Sequence, residues 1–272
     1  MESSDAVMTA ILKRDRVVVL IAIGLLATLA WAYVLWLAMR MNATQEMSAM
    51  DIGTMIGPGV AQWTTGQFLF ALAMWTVMMV GMMTPSVAPM ILIYAQVARR
   101  ADATRQPFSS SIWFAGGYLF VWVLFAAGAT SAQYELERAA LLSPILASKS
   151  AIFGAVTLLA AGIYQWLPLK GACLSQCRAP LSFVQRHGGF QPSGFASLRL
   201  GALHGVFCLG CCWALMILLF AFGIMNVLWI PGLTIFVLLE KTVPAGRLFS
   251  RAAGAVAIVG GVWLFLDTQH LF

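Results

Sequence analysis

A chain made of one uncharged apolar run after another, each about as long as a bilayer is thick, has few ways to fold. The first run, Val17 to Met39, follows directly on Lys13, Arg14 and Arg16 and carries no charge. About 20 such residues, wound into a helix, cross the ~30 Å hydrocarbon core. A helix also satisfies its backbone groups internally, which an open sheet edge in lipid cannot do. Six further runs have the same character: Phe68–Val97, Ile112–Ala132, Ala151–Leu167, Leu200–Phe222, Asn226–Leu239 and Ala252–Leu266. The expected fold class is all-α, a polytopic helical membrane bundle of seven transmembrane helices. The sixth run is short for a span and is the first to become a half-span if the count is lower. The first run is too long for a signal peptide and lacks a small-residue cleavage site, so it reads as an uncleaved span.

The remaining composition agrees. The 272 residues are 61% hydrophobic and 10% charged, which excludes a soluble domain as the main body. Residues 1–16 read as a cytoplasmic N-terminal tail and 17–272 as a single transmembrane domain. The net charge of +6 does not form a nucleic-acid patch, because the basic residues fall between the runs. With the N-terminus inside, the outer segments carry 3 basic residues, Arg40, Arg138 and Lys149, and the inner segments the other 13 of the 16 Lys and Arg. That asymmetry predicts a multi-pass protein of the bacterial inner membrane, N-terminus cytoplasmic and C-terminus outside. The partner this implies first is the lipid bilayer; no nucleic acid is expected. Three His are too few to hold several haems by paired imidazoles, and no nucleotide-binding loop is present.

The chemistry concentrates in the fifth run. His204, Cys208 and Cys212 are spaced i, i+4, i+8, and Cys211 lies three residues past Cys208. On a helix one imidazole and three thiols share a side. Soft thiolate and imidazole favour copper(I) and zinc over magnesium or calcium. Cys173 and Cys177 precede this run, between Pro168 and Pro180, with the i, i+4 spacing of a short helix. Folded back onto the mouth of the fifth span, they bring all five Cys to one cytoplasmic-side site. Five is an odd number with no extracellular disulfide pattern, and reducing conditions favour metal ligation. Against this stands the use of Cys as a small apolar filler in membrane helices.

The second run adds Met74, Met78 and Met82 in phase, followed by Pro85 and Pro89, where a kink is expected. Thioether sulfur suits copper(I), although a Met stripe also serves as packing. Glu240 directly follows the sixth run. Reflecting the chain about the turn at Gly223–Asn226 sets it level with Leu209, so it is a candidate ligand or a partner of His204. The alternative is an interfacial pair with Lys241. Glu135 and Glu137 read as solvated outer residues, His187 as a loop residue and His270 as a tail residue.

Several of these segments, taken together, resemble a bacterial family of predicted metal-binding integral membrane proteins, a domain of unknown function. They are Met74–Pro85, Pro168–Arg178, Cys208–Met216, Gly223–Trp229 and Glu240–Lys241, within a likeness running from about Phe70 to Phe265. The resemblance implies metal binding without naming a metal or an activity.

The leading expectation is a protein that binds a soft metal, copper(I) favoured over zinc, for handling, delivery or transport, with a metallochaperone or a membrane complex as partner. The metal residues would be Cys208, Cys211, Cys212 and His204 at the core, Cys173 and Cys177 as a loading or release pair, Met78 and Met82 as a second stage, and Glu240. No catalytic residue is expected. A second reading is a membrane thiol–disulfide oxidoreductase using Cys208, Cys211 and the loop pair. A third is a scaffold subunit with inert thiols.

Overall fold

The computed structural model describes residues 17–37, 39–40, 63–101, 107–139, 151–189, 193–224 and 228–269. The N-terminal tail, most of the outer segment between Arg40 and Gln67, and His270 lie outside them. The described residues are helical and contain no strand. Five helices are long and apolar enough to cross a membrane. They are α1 (Val17–Leu37), α2 (Thr65–Ala101), α3 (Pro107–Arg138), α7 (Gly194–Phe222) and α9 (Gly246–Gln269). Between α3 and α7 come α4 (Ala151–Tyr164), α5 (Pro168–Arg178) and α6 (Pro180–Arg186), and α8 (Trp229–Thr242) follows α7. The chain is thus an all-α bundle.

The seven expected runs each fall on a helix, but two are short. The fourth run gives the 14-residue α4, which bends by 64° into α5; counted as one broken span, the pair brings the total to six. Leu167 is extended, as the residue before a proline should be, and Pro168 restarts the helix at its first position. Pro180 starts α6 in the same way. The sixth run gives the 14-residue α8. At about 1.5 Å per residue it reaches about 21 Å, half of the roughly 43 Å of α7. It turns back from the end of α7 at Gly223, whose φ of 101° suits glycine, and stops near the middle of its neighbour. α2 continues through Pro85 and Pro89 as a single helix.

Helices in lipid associate through close backbone approach rather than by hiding apolar surface from water, so small residues mark their contacts. α3 and α7 form the most extensive pair. A Cβ on Gly201 would collide with the Phe114 carbonyl, and one on Gly117 with the Leu198 carbonyl. α4 and α9 meet similarly: a Cβ on Gly162 would lie 2.8 Å from the Gly254 carbonyl oxygen. Between these pairs lies one apolar core, which includes Met78, Met82, Trp122 and the three Cys of α7.

Candidate functional site

On α7 the register set by the Gly201 contact turns His204, Cys208, Cys211 and Cys212 inward. Their exposures are 3%, 0%, 1% and 0%. Cys208 is the hub. The Cys211 and Cys212 thiols each donate to its carbonyl oxygen at 3.0 Å, and the Cys177, Cys211 and Cys212 thiols lie within hydrogen-bonding reach of its sulfur. All five Cys are free thiols.

The Pro-bounded helix α5 packs across the middle of α7. Its Cys177 interacts with Cys208 and Cys211, and its Cys173 lies against Gly210, the residue before Cys211. Gly210 makes this approach possible, because a Cβ there would stand 2.7 Å from the Cys173 sulfur. The Tyr164 hydroxyl donates to the Gly210 carbonyl and ties the end of α4 to the same turn. At its far end α5 is fixed by Arg178, whose guanidinium donates to the Val243 and Pro244 carbonyls at 2.7 and 2.9 Å. Those carbonyls follow α8, so one short helix links the thiol layer to the end of α8.

Two functional groups on Cys208 have no counterpart in the sequence reading. The Lys241 ammonium, at the end of α8, donates to the Cys208 sulfur at 3.0 Å and to the Ser86 hydroxyl of α2 at 3.0 Å. The Tyr118 hydroxyl of α3 lies 3.1 Å from the same sulfur and 3.3 Å from the Met83 carbonyl oxygen. Four helices therefore meet at one sulfur atom. The part-buried Lys241 ammonium thus places a positive charge directly against that sulfur.

Glu240 sits elsewhere. It is 1% exposed and pairs with Lys170 of α5 at 2.7 Å, not with Lys241. Lys170 also donates to Gln165, and Gln165 accepts from Ser250 at 3.0 Å. Adjacent positions on α8 are about 100° apart around the helix, so Glu240 and Lys241 serve different neighbours. Glu240 belongs to a buried polar network of its own, with Lys170 rather than His204 as its partner.

His204 is ringed by Phe114, Tyr118 and Phe183, with centroids 6.0, 5.9 and 5.0 Å away. Its Nδ1 is buried and has no hydrogen-bond partner. A buried unsatisfied nitrogen is costly unless something else occupies its lone pair or proton. Met78 and Met82 are each 1% exposed and belong to the core that holds Cys208. Met79, Met83 and Met90 are equally buried, so the sulfur-bearing surface of α2 is wider than one stripe. His187 lies outside the thiol layer, its Nδ1 donating to the Phe183 carbonyl at 2.8 Å. Glu137 is more than a solvated outer residue: it accepts from Trp63 at 2.7 Å and from Gln133 at 2.8 Å.

Among the described residues no three His, Cys, Asp or Glu side chains already surround one point in metal-holding geometry. The hydrogen bonds supply the reason. Cys211 and Cys212 aim their S–H groups at the preceding helical turn, so each would have to rotate and lose its proton to ligate. By type, thiols and an unsatisfied imidazole nitrogen are soft donors.

No curated protein and no solved structure matches the chain. A family model described as copper chaperone does match, over residues 72–264, from the Met-rich part of α2 to the last turns of α9, and it takes in every residue of the thiol layer. The chain belongs to the PpoB2 copper chaperone family.

Proposed function

We propose that the protein is a multi-pass inner-membrane copper chaperone that holds copper(I) on the thiols around Cys208 and hands it to a protein partner. The observation that carries this reading is the convergence of Cys177, Cys208, Cys211 and Cys212 beside an unsatisfied His204 nitrogen, within a copper-handling family. Cys208 is the first ligand, because its sulfur already accepts hydrogen bonds. Cys211 or Cys212 joins after rotating off the Cys208 carbonyl, and Cys177 completes the set from α5. The Lys241 ammonium offsets the negative charge of a multi-thiolate copper(I) complex. Cys173 and Cys177, only partly buried on α5, are the loading or release pair. The buried Met78 and Met82 form a second, weaker stage for a metal leaving toward the other face. A metallochaperone or a membrane complex supplies or takes the copper.

The test is elemental analysis of anaerobically purified protein with thiol titration. Copper with masked thiols is expected, and Cys208→Ser should lower retention at least tenfold, since a hydroxyl is a poor soft-metal ligand. Full occupancy in a Cys208→Ser/Cys211→Ser/Cys212→Ser variant would overturn the assignment. The approach of Cys177 to Cys208 and Cys211 favours one other reading, a dithiol–disulfide exchanger. That reading requires metal-free protein and a reversible two-electron oxidation instead.

A further inference from the structure

The elbow between α4 and α5 faces the start of α9 across a cavity with an excess of positive charge. Its walls include Lys170 and Ser175 of α5, Arg247, Ser250 and Arg251 of α9, and Trp166 at the bend. Arg247 and Arg251 are spaced i, i+4 and lie on one face of α9. Arg251 places its guanidinium 5.9 Å over the Trp166 ring. No lining residue is Asp or Glu; Glu240, which neutralises Lys170, lies behind the wall. Two guanidinium groups therefore face the cavity with no carboxylate across from them. The first turn of α5 borders the same space, with no side-chain cap and no acidic residue. The positive end of its dipole adds to the field of the arginines.

The surroundings define what such a site takes. Trp166, Leu167 and Leu169 flank the cavity and are 53%, 43% and 60% exposed, an apolar rim with an interfacial indole. Ile163 of α4 and Val256 and Val259 of α9 are exposed apolar residues on the two helices that flank the elbow. A ligand with an anionic head and long apolar chains meets both requirements. We propose that this cavity binds the phosphate group of an anionic phospholipid, with its acyl chains along the outer face of α4 and α9. Basic pockets between membrane helices suit anionic headgroups for the same physical reason. The phosphate bridges the elbow to α9 and so fixes α5, the helix that carries Cys173 and Cys177. The inference does not depend on which metal the thiols hold.

The test compares delipidated full-length protein in neutral detergent with and without added short-chain phosphatidylglycerol, phosphatidylcholine or inorganic phosphate. Phosphatidylglycerol is expected to raise the unfolding midpoint by roughly 5 °C at saturation and to be retained in native mass spectra. Phosphatidylcholine, whose choline cancels the phosphate charge, should do much less. Arg247→Gln/Arg251→Gln should lose the rise, and the paired Lys substitutions should keep part of it. Both positions are exposed, so neither change removes core packing. A similar rise with inorganic phosphate confirms the anion site and reassigns its source to free phosphate. An equal effect of both lipids, an unchanged rise in the Gln variant, or no rise at all overturns the proposal.

Discussion

Cys208 shows how little of a site need be adjacent in sequence. Its sulfur meets Lys241, 33 positions later, and Tyr118, 90 positions earlier. The spacing of His204, Cys208, Cys211 and Cys212 on one face was legible, because helical periodicity alone sets it. Lys241 and Tyr118 were not, because their place depends on where α8 stops and how α3 is rotated. Glu240 and Lys241 make the contrast testable. Glu240→Gln leaves Lys170 charged and unpaired in a buried site, which should cost about 3–5 kcal/mol. Lys170→Met/Glu240→Leu should recover most of that stability and still load copper. Lys241→Met should do the opposite. It weakens a charge-assisted contact of about 1.5–3 kcal/mol, so copper retention against a competing cuprous chelator should fall by tenfold or more, with a smaller thermal shift. Melting curves and chelator titrations of the three variants check this; copper loss in the Lys170/Glu240 double variant would make Glu240 a ligand after all.

Among the elements, α5 is where sequence and structure agree most closely. Pro168 and Pro180 bracket it, and the i, i+4 spacing of its two Cys points to a helix between them. What spacing does not reveal is the seat it occupies. Gly210, in the Cys-Leu-Gly-Cys-Cys run, is where α5 touches α7. Gly210→Ala should place a methyl against the Cys173 sulfur and destabilise the protein by about 1–3 kcal/mol. Adding Cys173→Ala should return part of the loss, because the two changes relieve one contact. Thermal midpoints of the four proteins in this cycle measure the coupling; strict additivity would mean that α5 is not seated there.

Among the described residues the molecule combines five helices long enough to cross a bilayer, α1, α2, α3, α7 and α9, with four shorter ones, α4, α5, α6 and α8. α2 has 37 residues, about 55 Å, well beyond the hydrocarbon thickness. α8 ends level with the middle of α7, so Lys241 and Cys208 share a layer without α8 matching its neighbour's length. Counting apolar runs cannot tell a full crossing from a partial one, since both look alike in composition. The excess of basic residues on one set of loops still predicts a definite topology. Reporter fusions at Ser193 and Phe272 should fall on opposite sides of the membrane, Ser193 in the cytoplasm. If both report the same side, α8, which lies between them, does not cross; if they report opposite sides with Ser193 outside, the bent α4–α5 pair does not cross.

The unequal burial of the thiols bears on who can supply this protein. Cys208, Cys211 and Cys212 are sealed, whereas Cys173 and Cys177 meet the surroundings in part. A hydrated ion cannot shed its water into a closed site unless a ligand replaces each molecule lost. On the copper reading the metal therefore moves from sulfur to sulfur and is never free between them. A donor must bring its own ligands within reach of α5 and release them one at a time. Two donors that grip copper equally tightly would then load the protein at different speeds, according to whether their surface fits against that helix. Selectivity would reside in the introduction rather than in the final embrace.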